Sequence, residues 1–185
     1  MRTNTVVLEN AGGNAVLREL GVIFGASLFI AVLAQAAVPL PFTPVPFTLQ
    51  TLGLYLAAAV LGPKRGTMAV AAYLAEGAAG LPVFAAGGFG PACLVGPAGG
   101  YLLGFVPAAF IIGLTGAKSG RLAACVSFAC GAAALYCAGL VQLGHFVPAG
   151  LLLKAGLWSF LPGEIIKIGM AVAIWPGLRK LAGRI

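Results

Sequence analysis

Of the 185 residues, 61% are hydrophobic and 8% charged, and the mean hydropathy is +1.05. A chain of this size has too little polar surface to cover itself in water, which excludes a soluble domain and marks an integral membrane protein. The net charge of +7 does not point to nucleic acid, because the basic residues are scattered between apolar runs and form no single stripe.

Six apolar runs follow one another, each approaching the ~20 residues that a helix needs to cross ~30 Å of hydrocarbon. Their expected limits are Leu20–Val38, Pro46–Leu61, Gly66–Leu81, Gly99–Gly116, Leu122–Leu143 and Leu161–Leu178. The fold class expected is therefore all-α and membrane-embedded, with residues 1–185 as one domain and 1–19 as a polar cytoplasmic lead. Arg18, the apolar run after it and Ala34-Gln35-Ala36 have the look of a secretory signal. The run is read as an uncleaved first helix. Within it, Gly21 and Gly25 at GxxxG spacing, with Ser27 and Ala31 nearby, offer a surface for close helix approach, either to a partner subunit or within the bundle.

Between the first two runs lies Pro39-Leu-Pro-Phe-Thr-Pro-Val-Pro-Phe-Thr48, whose prolines fix φ and favour stiff, extended, uncharged backbone. Gln50, just inside the second run, is placed to bond a ligand or a neighbouring helix. Glu76 in the third run either lines a cavity or snorkels to an interface. The connection from Gly80 to Tyr101 is rich in glycine and again uncharged, and irregular backbone at that depth survives only where it is buried in protein or lines a cavity. Gly87, Gly88 and Tyr101 are its candidate ligand contacts. Cys93 lies in that loop, and Cys125, Cys130 and Cys137 fall in the fifth run at spacings of neither a metal site nor a redox pair, so they read as buried small hydrophobes. A single histidine, His145, builds no zinc site. No P-loop or nucleotide fingerprint appears. The stretch from Ala149 to Phe160 is apolar but broken, a short helix or re-entrant piece carrying Lys154 and Trp158.

Nine of the eleven basic residues (Arg2, Arg18, Lys64, Arg65, Lys118, Arg121, Arg179, Lys180 and Arg184) fall on one side of a six-span arrangement. By the positive-inside rule that side, with both termini, is cytoplasmic. The start of the last run then faces outward. There, in Leu161-Pro-Gly-Glu-Ile-Ile-Lys167, an acid and a base stand three residues apart in an apolar stretch. If Pro162 opens a helix, Glu164 and Lys167 share one face. An ionisable residue at the centre of a span costs about 2.5–3.5 kcal/mol, so such a pair belongs to a bundle interior or cavity. Two uncharged loops above it describe a lidded pocket for a small molecule.

These same stretches carry a resemblance. Pro44-Val-Pro-Phe-Thr-Leu-Gln-Thr-Leu-Gly53, Leu61-Gly-Pro-Lys-Arg-Gly66, Gly80-Leu-Pro-Val-Phe84, Gly96-Pro-Ala-Gly-Gly-Tyr101 and Pro162-Gly-Glu-Ile-Ile-Lys167, in order and nearly chain-long, resemble the BioY family. Those proteins are biotin-specific S components of energy-coupling factor transporters. The resemblance implies a six-helix protein of the prokaryotic cytoplasmic membrane. It would capture biotin outside and present it to a transmembrane T component and two ATP-hydrolysing subunits, with no cofactor of its own and no enzyme activity.

The family motif, usually Pro-Gly-Asp with a lysine three residues on, maps its ligand-binding side chains to Glu164 and Lys167. Some members carry an Asn and an Arg where this chain has Gly88 and Leu102, which leaves loop N–H groups, water or Lys154 for the biotin carboxylate. Tyr101 and Trp158, near the outer ends, either cap the pocket or belong to an interfacial aromatic belt that needs no ligand. The alternatives are an S component for another vitamin, an intramembrane enzyme using Glu164 as acid or base, and a structural subunit in which Glu164 and Lys167 only pair with each other.

Overall fold

The computed structural model describes residues 3–115 and 119–182; Arg2, Lys118 and Arg184, three of the basic residues used for topology, lie outside them. Helix α1 covers Thr3–Gln35 and a two-residue antiparallel ladder pairs β1 (Ala37–Val38) with β2 (Phe47–Thr48). Helix α2 covers Gln50–Ala78, and a 3₁₀ turn at Ala85–Gly87 leads to the short α3, Pro91–Val95. Helices α4 (Gly99–Gly113) and α5 (Arg121–Leu143) follow, then α6 (Ala149–Leu153), a π turn at Lys154–Trp158 and α7 (Leu161–Ala182). Among these residues three stretches are long and apolar enough to cross a membrane: Ala15–Gln35, Arg121–Leu143 and Ala149–Leu178.

The second and third apolar runs are two limbs of α2, folded back on each other at Gly62. Gly62 takes φ 76°, which only glycine adopts freely, and Pro63 bars the residue before it from helical geometry. Gln50 and Tyr73, almost equidistant from Gly62 along the chain, hydrogen-bond at 2.7 Å, so the limbs are antiparallel. The expected limits shift at several ends for local reasons. The first run stops being helical at Gln35 and the second begins only at Gln50, because Pro39, Pro41, Pro44 and Pro46 have no N–H to give a helix. The proline-studded segment closes as the hairpin between β1 and β2, and the glycine-rich connection contains α3 as well as irregular backbone.

The core lies between α2, α4, α5 and α7. Phe128 is its hinge, with Tyr55 at 5.7 Å between ring centroids and Trp175 edge-on at 6.2 Å; the Trp175 indole donates to the Ser119 carbonyl. Outside, the bundle is apolar: Phe24, Leu28, Val32, Leu122, Val126, Val141, Ile165 and Ile166 are all exposed, as lipid-facing residues are. Cys125, Cys130 and Cys137 belong to this outer face, where α5 turns away from α4, so the expectation that they are buried is corrected.

The four small residues of α1 do not form one surface. Gly21 and Gly25 are exposed with open space around them, whereas Ser27 and Ala31 face the interior, and Ser27 donates to the carboxylate of Glu76. That bond ties α2 to α1 through Glu76, which is half-buried and is not among the residues that line the cavity described below. At the opposite end from the hairpin, the Arg65 guanidinium grips Glu19, with Nε–H donating at 2.8 Å.

The turn at Gly62 packs against Gly113, where a Cβ would stand 2.5 Å from the carbonyl carbon of Gly62 and the nitrogen of Pro63. Backbone cannot give as a side-chain tip can. Gly113→Ala is therefore expected to destabilise the bundle by about 1–3 kcal/mol, read as a lower midpoint of thermal unfolding in detergent.

Candidate functional site

The site is built where α7 begins. Pro162 sits in the first turn, as its missing N–H allows, and places Glu164 and Lys167 on the inner face one turn apart. Their side chains are almost wholly buried, and Lys167 Nζ stands 2.8 Å from Glu164 Oε2. Gly163 matters because the Phe47 ring occupies the space a Cβ would need, with ring carbon at 2.2 Å from the ideal position. Phe47 thereby lies against α7, with its centroid 4.9 Å from Lys167 Nζ, within cation–π range.

Every donor and acceptor of the pair is engaged. The Tyr55 hydroxyl donates to Glu164 Oε1 from behind, and the Tyr136 hydroxyl donates to Oε2 at 3.1 Å. Lys167 donates to the Thr51 hydroxyl and, at 3.3 Å, to the Thr48 carbonyl; Thr51 Oγ1 stands 3.5 Å from Glu164 Oε2. A buried ion pair is retained only with such additional bonds, because desolvation costs several kcal/mol per ion.

The pair forms one wall of a cavity of about 370 Å³, within the ~300–1,000 Å³ typical of small-molecule sites. The hairpin (Pro44 to Thr48), the start of α2 (Gln50, Thr51), the loop residues Phe84 and Ala85, the α3–α4 corner, Tyr101, Leu102 and Phe105 of α4, Leu135, Tyr136 and Phe160 complete it. Most of this lining is apolar, and Glu164 and Lys167 are its one acid and one base. The cavity lies at the end of the bundle away from the Gly62 turn and the Arg65–Glu19 pair.

The loop over the cavity is tied down by side-chain amides. Gln35, at the end of α1, accepts the Gly87 N–H at 2.9 Å and donates toward the carbonyls of Ala31 (3.0 Å) and Phe84 (3.3 Å). Gln142 of α5 donates to the carbonyls of Leu94 and Gly96. Gly77 receives the Phe84 ring face against a position no Cβ shares, and Gly90 N–H reaches the Gly77 carbonyl at 2.7 Å.

The sequence-derived candidates divide. Glu164, Lys167, Gln50 and Tyr101 line one cavity, but the Tyr101 hydroxyl is spent on the Gly156 carbonyl at 2.7 Å, so its ring serves as wall and brace for Tyr136. Gly87 and Gly88 shape the loop without lining the cavity. Glu76, Lys154 and Trp158 stand outside it, Trp158 being 60% exposed. Sequence reasoning missed Tyr55, Thr51 and Tyr136. Tyr136 had a signal, since a phenol amid Ala, Gly and Cys in a spanning run needs a partner. Thr51 and Tyr55, four residues apart, share one helix face.

Comparison with known proteins follows the same lines. The BioY family model matches residues 3–184. A protein named biotin transporter BioY from Thermotoga maritima is 41% identical over 159 residues, covering 84% of this chain and 94% of its own length. Another of the same name, from Rhodobacter capsulatus, is 37% identical over 158 residues, with 77% and 83% covered. Among solved structures, a 2.1 Å crystal structure of the S-component for biotin from an ECF-type ABC transporter superposes with a TM-score of 0.80 at 32% identity, covering 90% of this chain and 93% of that one.

Because each charge is buried against the other, Glu164→Gln or Lys167→Met alone leaves an ion without its counter-ion and is expected to cost about 3–5 kcal/mol. The double variant should lose clearly less than the sum of the two, a coupling that a thermal-unfolding cycle in detergent measures.

Proposed function

This chain belongs to the BioY family, and on that premise we propose that it is the biotin-binding subunit of a vitamin-uptake transporter and not itself an enzyme. The observation that carries the reading is the buried Glu164–Lys167 pair on the wall of an otherwise apolar cavity. Biotin's ureido ring offers two N–H donors and one carbonyl acceptor, which a carboxylate and an ammonium answer together. Its thioether ring suits the apolar walls formed by Phe84, Leu135 and Phe160. A desolvated site of this kind rejects analogues that leave its own polar groups unpaired.

Counting the limbs of α2 separately gives six long helical rods among the described residues, in keeping with a six-span S component occupying residues 1–185. The described basic residues Arg18, Lys64, Arg65 and Arg121 lie away from the cavity, which by the positive-inside rule makes the cavity outward-facing and the termini cytoplasmic in a prokaryotic cell membrane. Import would then require the T component and two ATPase subunits of an energy-coupling module, since the chain carries no nucleotide-binding motif. Gly21 and Gly25, exposed on α1, remain the candidate contact for that module; Ser27 and Ala31 face the other way.

Both tryptophans are badly placed as reporters, Trp158 outside the cavity and Trp175 in the core, so binding is best followed with labelled biotin. Biotin-stripped protein in detergent is expected to bind saturably, with desthiobiotin competing and lipoate, which lacks the urea, failing to. Glu164→Gln and Lys167→Ala should each weaken binding on the order of 100-fold or more. Unchanged affinity in folded variants would overturn the assignment of the site.

A further inference from the structure

Gln50 is the other polar side chain that reaches the cavity from α2, and its amide has two faces of opposite character: an oxygen that accepts and a nitrogen that donates. Which one the ligand meets is fixed by a neighbour. The Tyr73 hydroxyl lies 3.0 Å from the carbonyl of Val83 in the covering loop and 2.7 Å from Gln50 Nε2. A carbonyl can only accept, so the single Tyr73 proton goes to Val83. The phenol oxygen is then left as an acceptor, and it takes a hydrogen from the Gln50 amide nitrogen. One hydrogen of Nε2 is thereby spent, and Gln50 Oε1, which accepts nothing from the described residues, is the acceptor left for a ligand. Were the amide reversed, one Tyr73 hydrogen would have to serve two acceptors.

We infer that Tyr73 is a positioning residue for specificity: seated on the Val83 carbonyl, it holds Gln50 as a hydrogen-bond acceptor, so that the cavity offers acceptors to both N–H groups of a cyclic urea, Glu164 to one and Gln50 to the other. This rests on the reading of biotin as ligand and deepens it. The same relay joins recognition to the loop, since the Val83 carbonyl belongs to the segment 82–87 that Gln35 ties to α1, and the Phe84 ring packs edge-on against Tyr73 at 5.5 Å. A loop that is out of place releases Tyr73, and with it the orientation of Gln50.

The test uses the two cyclic carbamate isomers of biotin, each with oxygen in place of one urea N–H. Wild-type protein should bind both isomers at least about 100-fold more weakly than biotin, because each sets an oxygen against an acceptor. In Tyr73→Phe, which keeps the ring and its contact with Phe84, the freed amide turns its nitrogen to the ring oxygen. The penalty for one isomer should then fall to about tenfold or less while the other, set against Glu164, stays. Gln50→Leu, which leaves Tyr73 and its bond to Val83 intact, should lose the same penalty through weaker biotin binding and keep the Glu164-side one.

Either variant retaining both penalties overturns the proposal, as does a uniform drop in both, which would mark Tyr73 as structural only. Failure of wild-type protein to bind biotin at all would instead sink the ligand reading on which the proposal stands.

Discussion

A carboxylate and an ammonium, buried 2.8 Å apart on one turn of α7, set the terms for what packs around them. Neither survives in a membrane interior without partners, and the partners come from three other elements: Tyr55 and Thr51 from α2, Tyr136 from α5, and the Thr48 carbonyl from β2. The pair thus anchors the hairpin, the first limb of α2 and α5 to the start of α7. The backbone accommodates it through Pro162, which opens the helix, and Gly163, which admits the Phe47 ring. Four donors surround the Glu164 carboxylate, about as many as its lone pairs accept. Three of them, Lys167, Tyr136 and Thr51, share Oε2, so a ligand N–H that reaches Oε2 displaces one, and Tyr136, on the cavity wall, is better placed to yield than Tyr55 behind on Oε1.

The loops over the cavity answer a second constraint. Non-helical backbone at membrane depth needs bonding partners that lipid does not supply. Here glutamines supply them: Gln35 for the segment around Gly87, Gln142 for the segment around Gly96, and Gln50 through Tyr73 for Val83. Uncharged amides do this at lower desolvation cost than ions. The loop is thereby fixed to helix ends without placing a further charge beside Glu164 and Lys167.

Much of this was legible in the chain. The hydropathy made a membrane bundle, the spacing of Glu164 and Lys167 put them on one face, and proline and glycine marked where helices could not continue. What escaped reading depends on long-range approach. The partner of Glu76 was not legible, because nothing local shows that Ser27, a helix away, turns inward to meet it. Gly21, Gly25, Ser27 and Ala31 looked like one stripe, yet the rotation of α1 that buries Ser27 turns Gly21 and Gly25 outward. Tyr55 and Tyr136 sit in different spans, and only the packing of α2 and α5 against α7 brings both phenols to one carboxylate. The loop glycines were candidates for ligand contact because uncharged, irregular backbone at that depth was expected to line a cavity. Gly87, at φ 74°, lets the chain turn just after Phe84 and Ala85, and it is these two that line the cavity.

The most direct test of the central claim is an experimentally determined structure of the chain with biotin bound. The account predicts the ureido ring against the α7 wall, its carbonyl within hydrogen-bond distance of Lys167 and one N–H on Glu164 Oε2, with the bicyclic ring between Phe84, Leu135 and Phe160. Biotin held elsewhere, with the Glu164–Lys167 pair and its tyrosines undisturbed and turned away from the ligand, would contradict it.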